Sequence, residues 1–81
     1  MWNVYVIQSL KSGVRYTGMA TDVLIRVSEH NAGKSKFTSG HIPWKLIYQE
    51  SGFKNSADAR GREKYLKSAA GKKFVEKNLS E

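Results

Sequence analysis

A chain of eighty-one residues without cysteine cannot use a disulfide framework or a cysteine-ligated zinc, and its two histidines, lacking a softer ligand, make a poor zinc site. Fourteen Lys and Arg against seven Asp and Glu leave a net charge of +7, the footprint of a polyanion binder, although a basic surface with no specific partner carries the same charge. The length fits one small domain over residues 1–81, in which about 60% of the unfolded chain's surface can be buried. No basic segment precedes the first apolar run, and Asn3 and Gln8 interrupt that run. Neither a signal peptide nor a spanning helix is expected, so the protein is read as cytoplasmic, with no membrane partner.

Residues 2–7 are aromatic or β-branched apart from Asn3, and residues 14–17 are rich in the same types, which predicts two strands. Lys11-Ser12-Gly13 reads as the turn between them, with Gly13 free to take a positive φ. The hairpin brings Tyr5 and Tyr16 side by side. Taken singly, each is a packing residue with a wet hydroxyl. Past Gly18 the period changes. Thr21 or Asp22 can cap a helix in which Val23, Leu24 and Val27 form an apolar stripe. Arg26 and His30, four apart, share the flank that looks toward the tyrosines, whereas Glu29 points to solvent. Alone, Arg26 reads as an exposed helix arginine, and His30 as a helix-end cation favoured by the C-terminal dipole.

Asn31-Ala32-Gly33 closes that helix. Residues 34–43 form a loop in which Lys34, Lys36, three hydroxyl residues, Gly40 and His41 surround a single aromatic, Phe37. Such a mixture suits phosphate oxygens and does not read bases, although an ordinary solvated connection has a similar composition. A third strand follows Pro43 over residues 44–50, with Trp44, Leu46 and Tyr48 on one face. Asn55 or Ser56 caps a second helix reaching about Ser68. Its stripe is Ala59, Glu63, Leu66 and Ala70, so Glu63 faces inward. A carboxylate there must pair with a cation, bind a metal or take up a proton, and a salt bridge to Arg26 or Arg62 is the purely structural solution. Ala69-Ala70-Gly71 interrupts the helix, and residues 72–79 make a last one with Phe74, Val75, Asn78 and Leu79 turned inward. The expected fold is α+β, ordered β-β-α-β-α-α, with a three-stranded, mainly antiparallel sheet.

Asn3-Val4-Tyr5 and Tyr16-Thr17-Gly18, the helix carrying Arg26, the run from Gly33 to His41, and Arg62-Glu63-Lys64-Tyr65-Leu66-Lys67 together resemble the GIY-YIG nuclease superfamily. The resemblance covers residues 2–73. It is closest to small stand-alone members, whose domain is similar to that of excision-repair and structure-specific endonucleases. It implies a metal-dependent endonuclease acting on nucleic acid, DNA ahead of RNA. In that frame Tyr16 takes a proton from the attacking water, Arg26 holds the phosphate, Tyr5 orients the water or Tyr16, and His30 is a further candidate for proton transfer. Glu63 would bind one divalent ion, Mg²⁺ or Mn²⁺, near the leaving oxygen, and magnesium commonly uses one or two carboxylates with water. Arg15, Lys34, Lys36 and Lys45 are candidate nucleic-acid contacts.

Several positions depart from the family pattern. Asn3, Val4 and Thr17 replace a glycine and two isoleucines of the family triplets, and Asn78 corresponds only loosely to an asparagine of larger members. The alternative is a DNA- or RNA-binding module that kept the fold without turnover, and a third reading is a basic domain that binds only protein. With no separate recognition domain, weak sequence preference is expected, with specificity drawn from backbone contacts or from a protein partner.

Overall fold

The structure is a computed structural model in which residues 1–79 are described. Strand β1 (Trp2–Ser9) lies in the middle of a three-stranded sheet ordered β2-β1-β3. Its sequence explains the position. Val4, Tyr5, Val6 and Ile7 are all buried, the unbroken apolar run required of a strand covered on both faces. Strand β2 (Arg15–Ala20) pairs antiparallel with β1. In the turn before it Gly13 has φ +79° and donates to the Ser9 carbonyl at 2.9 Å. β2 continues past the expected end at Thr17, because Met19 and Ala20 still pair with Val4 and Asn3. The Asn3 side chain then donates to the Ala20 and Thr21 carbonyls.

Strand β3 (Trp44–Phe53) is also antiparallel to β1 and runs beyond Glu50 until Phe53 pairs with Trp2. Its register shifts between Val6 and Ile7, so that Leu46 lies opposite Ile7 while Tyr48 lies opposite Val6. An extra residue in one strand reverses its alternation. The expected common face of Trp44, Leu46 and Tyr48 is therefore corrected: Trp44 and Leu46 pack with Tyr5 and Ile7, and Tyr48 with Val4 and Val6.

Helix α1 (Val23–Asn31) covers the first of these faces through Val23 and Val27. Helices α2 (Ser56–Lys67) and α3 (Ala69–Leu79) cover the other through Ala59, Leu66, Phe74 and Val75. The expected caps are in place: Asp22 accepts from the Ile25 N–H at 3.1 Å and Asn55 from the Asp58 N–H at 2.8 Å. Leu24, expected in the buried stripe, is 76% exposed. One position on from Val23, it is turned about 100° away from the sheet.

The break between the helices falls at Ser68, whose backbone is extended, and Ala69-Ala70-Gly71 forms the first turn of α3, because Ser68 Oγ accepts from the Gly71 N–H at 3.1 Å and so acts as a cap. Ala70 thereby leaves the α2 stripe and is exposed. Asn78, expected inward, is exposed and donates to the Phe74 carbonyl.

A bidentate pair ties β3 to α2: Arg62 donates to both Glu50 oxygens at 2.7 and 2.9 Å. Tyr48 also donates to Glu50, and the guanidinium lies over the Tyr65 and Phe74 rings. Arg62 holds the Glu50 carboxyl below its ordinary value. This buried-edge carboxylate was not singled out from the sequence, where it reads as the exposed end of a strand.

Two glycines in the helices have opposite roles. A Cβ at Gly71 would collide with the Tyr65 carbonyl and the Leu66 Cα, whereas at Gly61, in the exposed interior of α2, it would meet nothing within 4 Å. Gly61→Ala is expected to raise stability by about 0.5–1 kcal/mol through helix propensity. Gly71→Ala should lower it by about 2–3 kcal/mol, because α3 must shift off α2. Denaturant midpoints of the two variants beside wild type test this, and equal behaviour would contradict the packing described.

Candidate active site

In the β1–β2 register Tyr5 lies opposite Gly18 and Ile7 opposite Tyr16, which makes the tyrosines diagonal neighbours on the α1 face. Gly18 is what lets them share it. A Cβ there would stand 2.6 Å from the Tyr5 hydroxyl oxygen and 3.1 Å from the Tyr16 ring, so the Tyr5 ring occupies space that any side chain on β2 would fill.

α1 lays His30 over this pair. His30 is fully buried. Its Nε2 is 2.9 Å from the Tyr5 hydroxyl and its Nδ1 is 2.8 Å from Thr38 Oγ1. Burial, reinforced by Arg26, pushes the imidazole's pKa down, and burial, with Tyr16 adding to it, pushes the Tyr5 phenol up to about 12. Tyr5 therefore keeps its proton and His30 is neutral. The direction that satisfies every donor has Tyr5 donating to Nε2, Nδ1–H donating to Thr38, and Thr38 donating to the Ser35 carbonyl at 3.4 Å. The expected helix-end cation is thus corrected: a buried imidazole with two neutral partners does not hold a charge at neutral pH.

Arg26 stands beside this chain. Its charge acts on the Tyr5 phenol against the effect of burial, and it pairs with Glu29 at 2.9 Å. Glu29 therefore turns toward Arg26 and not, as expected, to solvent alone. Glu63, on α2, has a side chain only 17% exposed, and its partner is neither Arg26 nor Arg62 but Lys67, at 3.0 Å one turn along the helix. The two expected cations are already engaged with Glu29 and Glu50. Glu63 nonetheless lies close enough to Tyr5 for its charge to raise the phenol further.

Tyr16 is half-buried. Its ring meets the His30 edge at 5.1 Å between centroids and Phe37 at 6.0 Å, and its hydroxyl has no hydrogen bond to any described residue. It lines a groove of about 710 Å³ with Arg15, Phe37, Lys67 and Lys72. Of the candidate phosphate contacts, Arg15 is paired with Glu76 at 2.7 Å, while Lys34 and Lys36 are exposed in the segment after α1. Lys45 pairs with Gln8, which alternates with Val4 and Val6, so it belongs to the face away from the tyrosines.

Among the described residues no group of three or more His, Cys, Asp or Glu could form a closed metal cage. A single, mostly buried carboxylate held only by an exposed lysine fits a hydrated hard cation that takes one protein oxygen. Sequence reasoning missed Thr38 and Lys67. Thr38 sits in a polar loop without periodicity, so nothing distinguished it from its neighbours; Lys67 was legible as the i+4 cation of Glu63.

Two tyrosines on paired strands, an arginine on the first helix and a glutamate on the second, over a β-β-α-β-α-α fold, define a GIY-YIG catalytic domain. The chain belongs to that family, whose GIY-YIG catalytic domain profile matches residues 1–78. It is 46% identical over 68 residues to a UPF0213 protein of Halobacterium salinarum, covering 83% of this chain and 86% of the relative. It is 40% identical to a UPF0213 protein of Staphylococcus haemolyticus, covering 79% and 77% of the two chains. To one from Streptococcus agalactiae serotype V it is 38% identical, covering 79% and 72%. No solved structure matches. Family membership supports a nuclease-type function with a nucleic-acid substrate. Among the described residues no helix is long and apolar enough to cross a membrane.

The buried imidazole generates a stability prediction. His30's folded pKa lies below the ordinary 6.5, so on acidification the unfolded chain takes up the proton first. The contribution is complete above about pH 6.5 and is lost as the pH falls toward the folded value. Wild type should therefore lose stability as the pH falls below about 6.5, and His30→Gln, measured by the same denaturant melts, should flatten that slope. Parallel slopes in the two proteins would contradict a neutral, buried His30.

Proposed function

We propose that this protein is a metal-dependent endonuclease that hydrolyses phosphodiester bonds, with DNA ahead of RNA and the chain acting as one catalytic domain. The observation that carries the reading is the pair Tyr5 and Tyr16, packed against each other over Gly18 beneath the helix that carries Arg26, together with a glutamate of low exposure on α2, Glu63. A pure binder has little need of a low-exposure glutamate there.

In this reading Tyr16, whose hydroxyl is uncommitted at the groove, first gives up its own proton to solvent and then, as the phenolate, takes the proton of the attacking water. The water oxygen bonds to phosphorus as the bond to the leaving oxygen breaks. Arg26 holds the scissile phosphate beside Tyr5, whose hydroxyl is fixed in place by His30. Glu63 would hold Mg²⁺ or Mn²⁺ after releasing Lys67. A bound divalent ion supplies the charge that stabilises the leaving oxygen. Lys34 and Lys36 add phosphate contacts that position the strand without reading sequence.

One observation favours the second reading, a binding module without turnover: Arg26 and Glu63 each already have a neutralising partner. Both partners are exposed enough for the pairs to be weak, about 0.3–0.5 kcal/mol for such helical neighbours, and a phosphate or a divalent cation outcompetes them. The test is a panel of single-stranded, duplex, flap and branched substrates, with and without magnesium. Cleavage of at least one, dependent on metal, is expected. Glu63→Gln should abolish it while leaving nucleic-acid binding intact and changing stability by no more than about 0.5 kcal/mol. Binding without cleavage across the panel would establish the second reading instead.

A further inference from the structure

Resting on the nucleic-acid reading of this site, we propose that Phe37 is a stacking platform for an unpaired base, so that the substrate is single-stranded or frayed where it is cut. Phe37 is 57% exposed, although a phenylalanine gains by leaving water. The position is not a loose loop tip. Thr38, the next residue, is fully buried and bonded to His30, and its carbonyl accepts from the Trp44 indole at 2.8 Å. A turn closes around Phe37 as Ser39 donates to the Ser35 and Lys36 carbonyls at 2.9 and 2.8 Å. The ring itself is steadied between Tyr16, at 6.0 Å, and His41, at 5.6 Å. The fold thus presents an aromatic surface to solvent from a fixed backbone, beside the residue proposed to perform proton transfer.

The groove explains what it presents that surface to. Phe37 and Tyr16 line it together with Arg15, Lys67 and Lys72, so that aromatic rings and cationic groups share one groove. That combination suits a single strand, whose bases stack on side chains while its phosphates meet cations. Base pairs in an intact duplex are stacked on one another and offer no free face to a side chain at the groove wall. The shelf therefore gains a partner only where a nucleotide is unpaired. A second exposed apolar patch, Leu24 and Ile25 on the outside of α1, is bordered by Ser28, Glu29, Ala32 and Lys34 and has no aromatic ring for stacking.

The test is fluorescence anisotropy without divalent metal, which separates binding from turnover. The probes are labelled single strands of DNA and of RNA and a blunt DNA duplex. Phe37→Ala is expected to weaken single-strand binding by on the order of ten-fold, the loss expected for one stacked base, and to leave duplex binding unchanged. Phe37→Trp should restore the affinity, Phe37→Leu should not, and the exposed control Leu24→Ala should bind as wild type. Full single-strand affinity in Phe37→Ala, equal losses on strand and duplex, or complete rescue by leucine would each overturn the proposal. If wild type binds none of the probes, the nucleic-acid reading fails along with it. If wild type cleaves nucleic acid while Phe37→Ala binds every probe normally, only the stacking proposal fails.

Discussion

The Tyr5 phenol lies across Gly18 in space that one methyl group would fill, and its hydroxyl meets the buried His30 at 2.9 Å. That contact joins the central strand to the edge strand and to α1 in a single place. From it the hydrogen bonds continue through Thr38 into the segment after α1. An unpartnered buried hydroxyl or imidazole would cost about 1–3 kcal/mol. Each buried polar side-chain atom among the described residues has its partner, so removing one member strands the next. The site is in this sense part of the core on the α1 face, with Tyr16 and Arg26 set at its open edge.

Three of the ion pairs among the described residues differ in kind. Arg62 and Glu50 form a bidentate pair of low exposure that joins α2 to β3, geometry that gives an ion pair both energy and direction. Arg26–Glu29 and Glu63–Lys67 each join neighbours on one helix, and such pairs hold side chains only loosely. The architecture therefore locks the frame and leaves the two proposed working charges exchangeable, a division consistent with a site that receives phosphate and a divalent cation.

Much of the frame was legible from the sequence. The hairpin, both helix caps and the chain order follow from local signals: β-branched runs, Gly13, Asp22 and Asn55. The features that escaped it depend on distant partners. His30 looked like a helix-end cation because nothing near it in sequence reveals Tyr5, twenty-five positions away, or the burial that keeps it neutral. The common face assigned to Trp44, Leu46 and Tyr48 failed because a bulge leaves no mark in an alternating pattern. Glu63 was placed correctly on its inward stripe, yet its partner was sought among arginines that the tertiary structure commits elsewhere. Ser68 could have been read as a cap, but the small residues after it looked more like a break.

Tyr16 has a proposed chemical role that its hydroxyl performs and its ring does not. Tyr16→Phe retains the ring contacts with His30 and Phe37, so the direct measurement is single-turnover cleavage by Tyr16→Phe and wild type on whichever substrate wild type cuts, with a melt to verify that both are folded. The account predicts a folded variant whose chemical step is slower by about 10²-fold or more, the loss expected when a general base is removed. A folded variant that cleaves at the wild-type rate would contradict it.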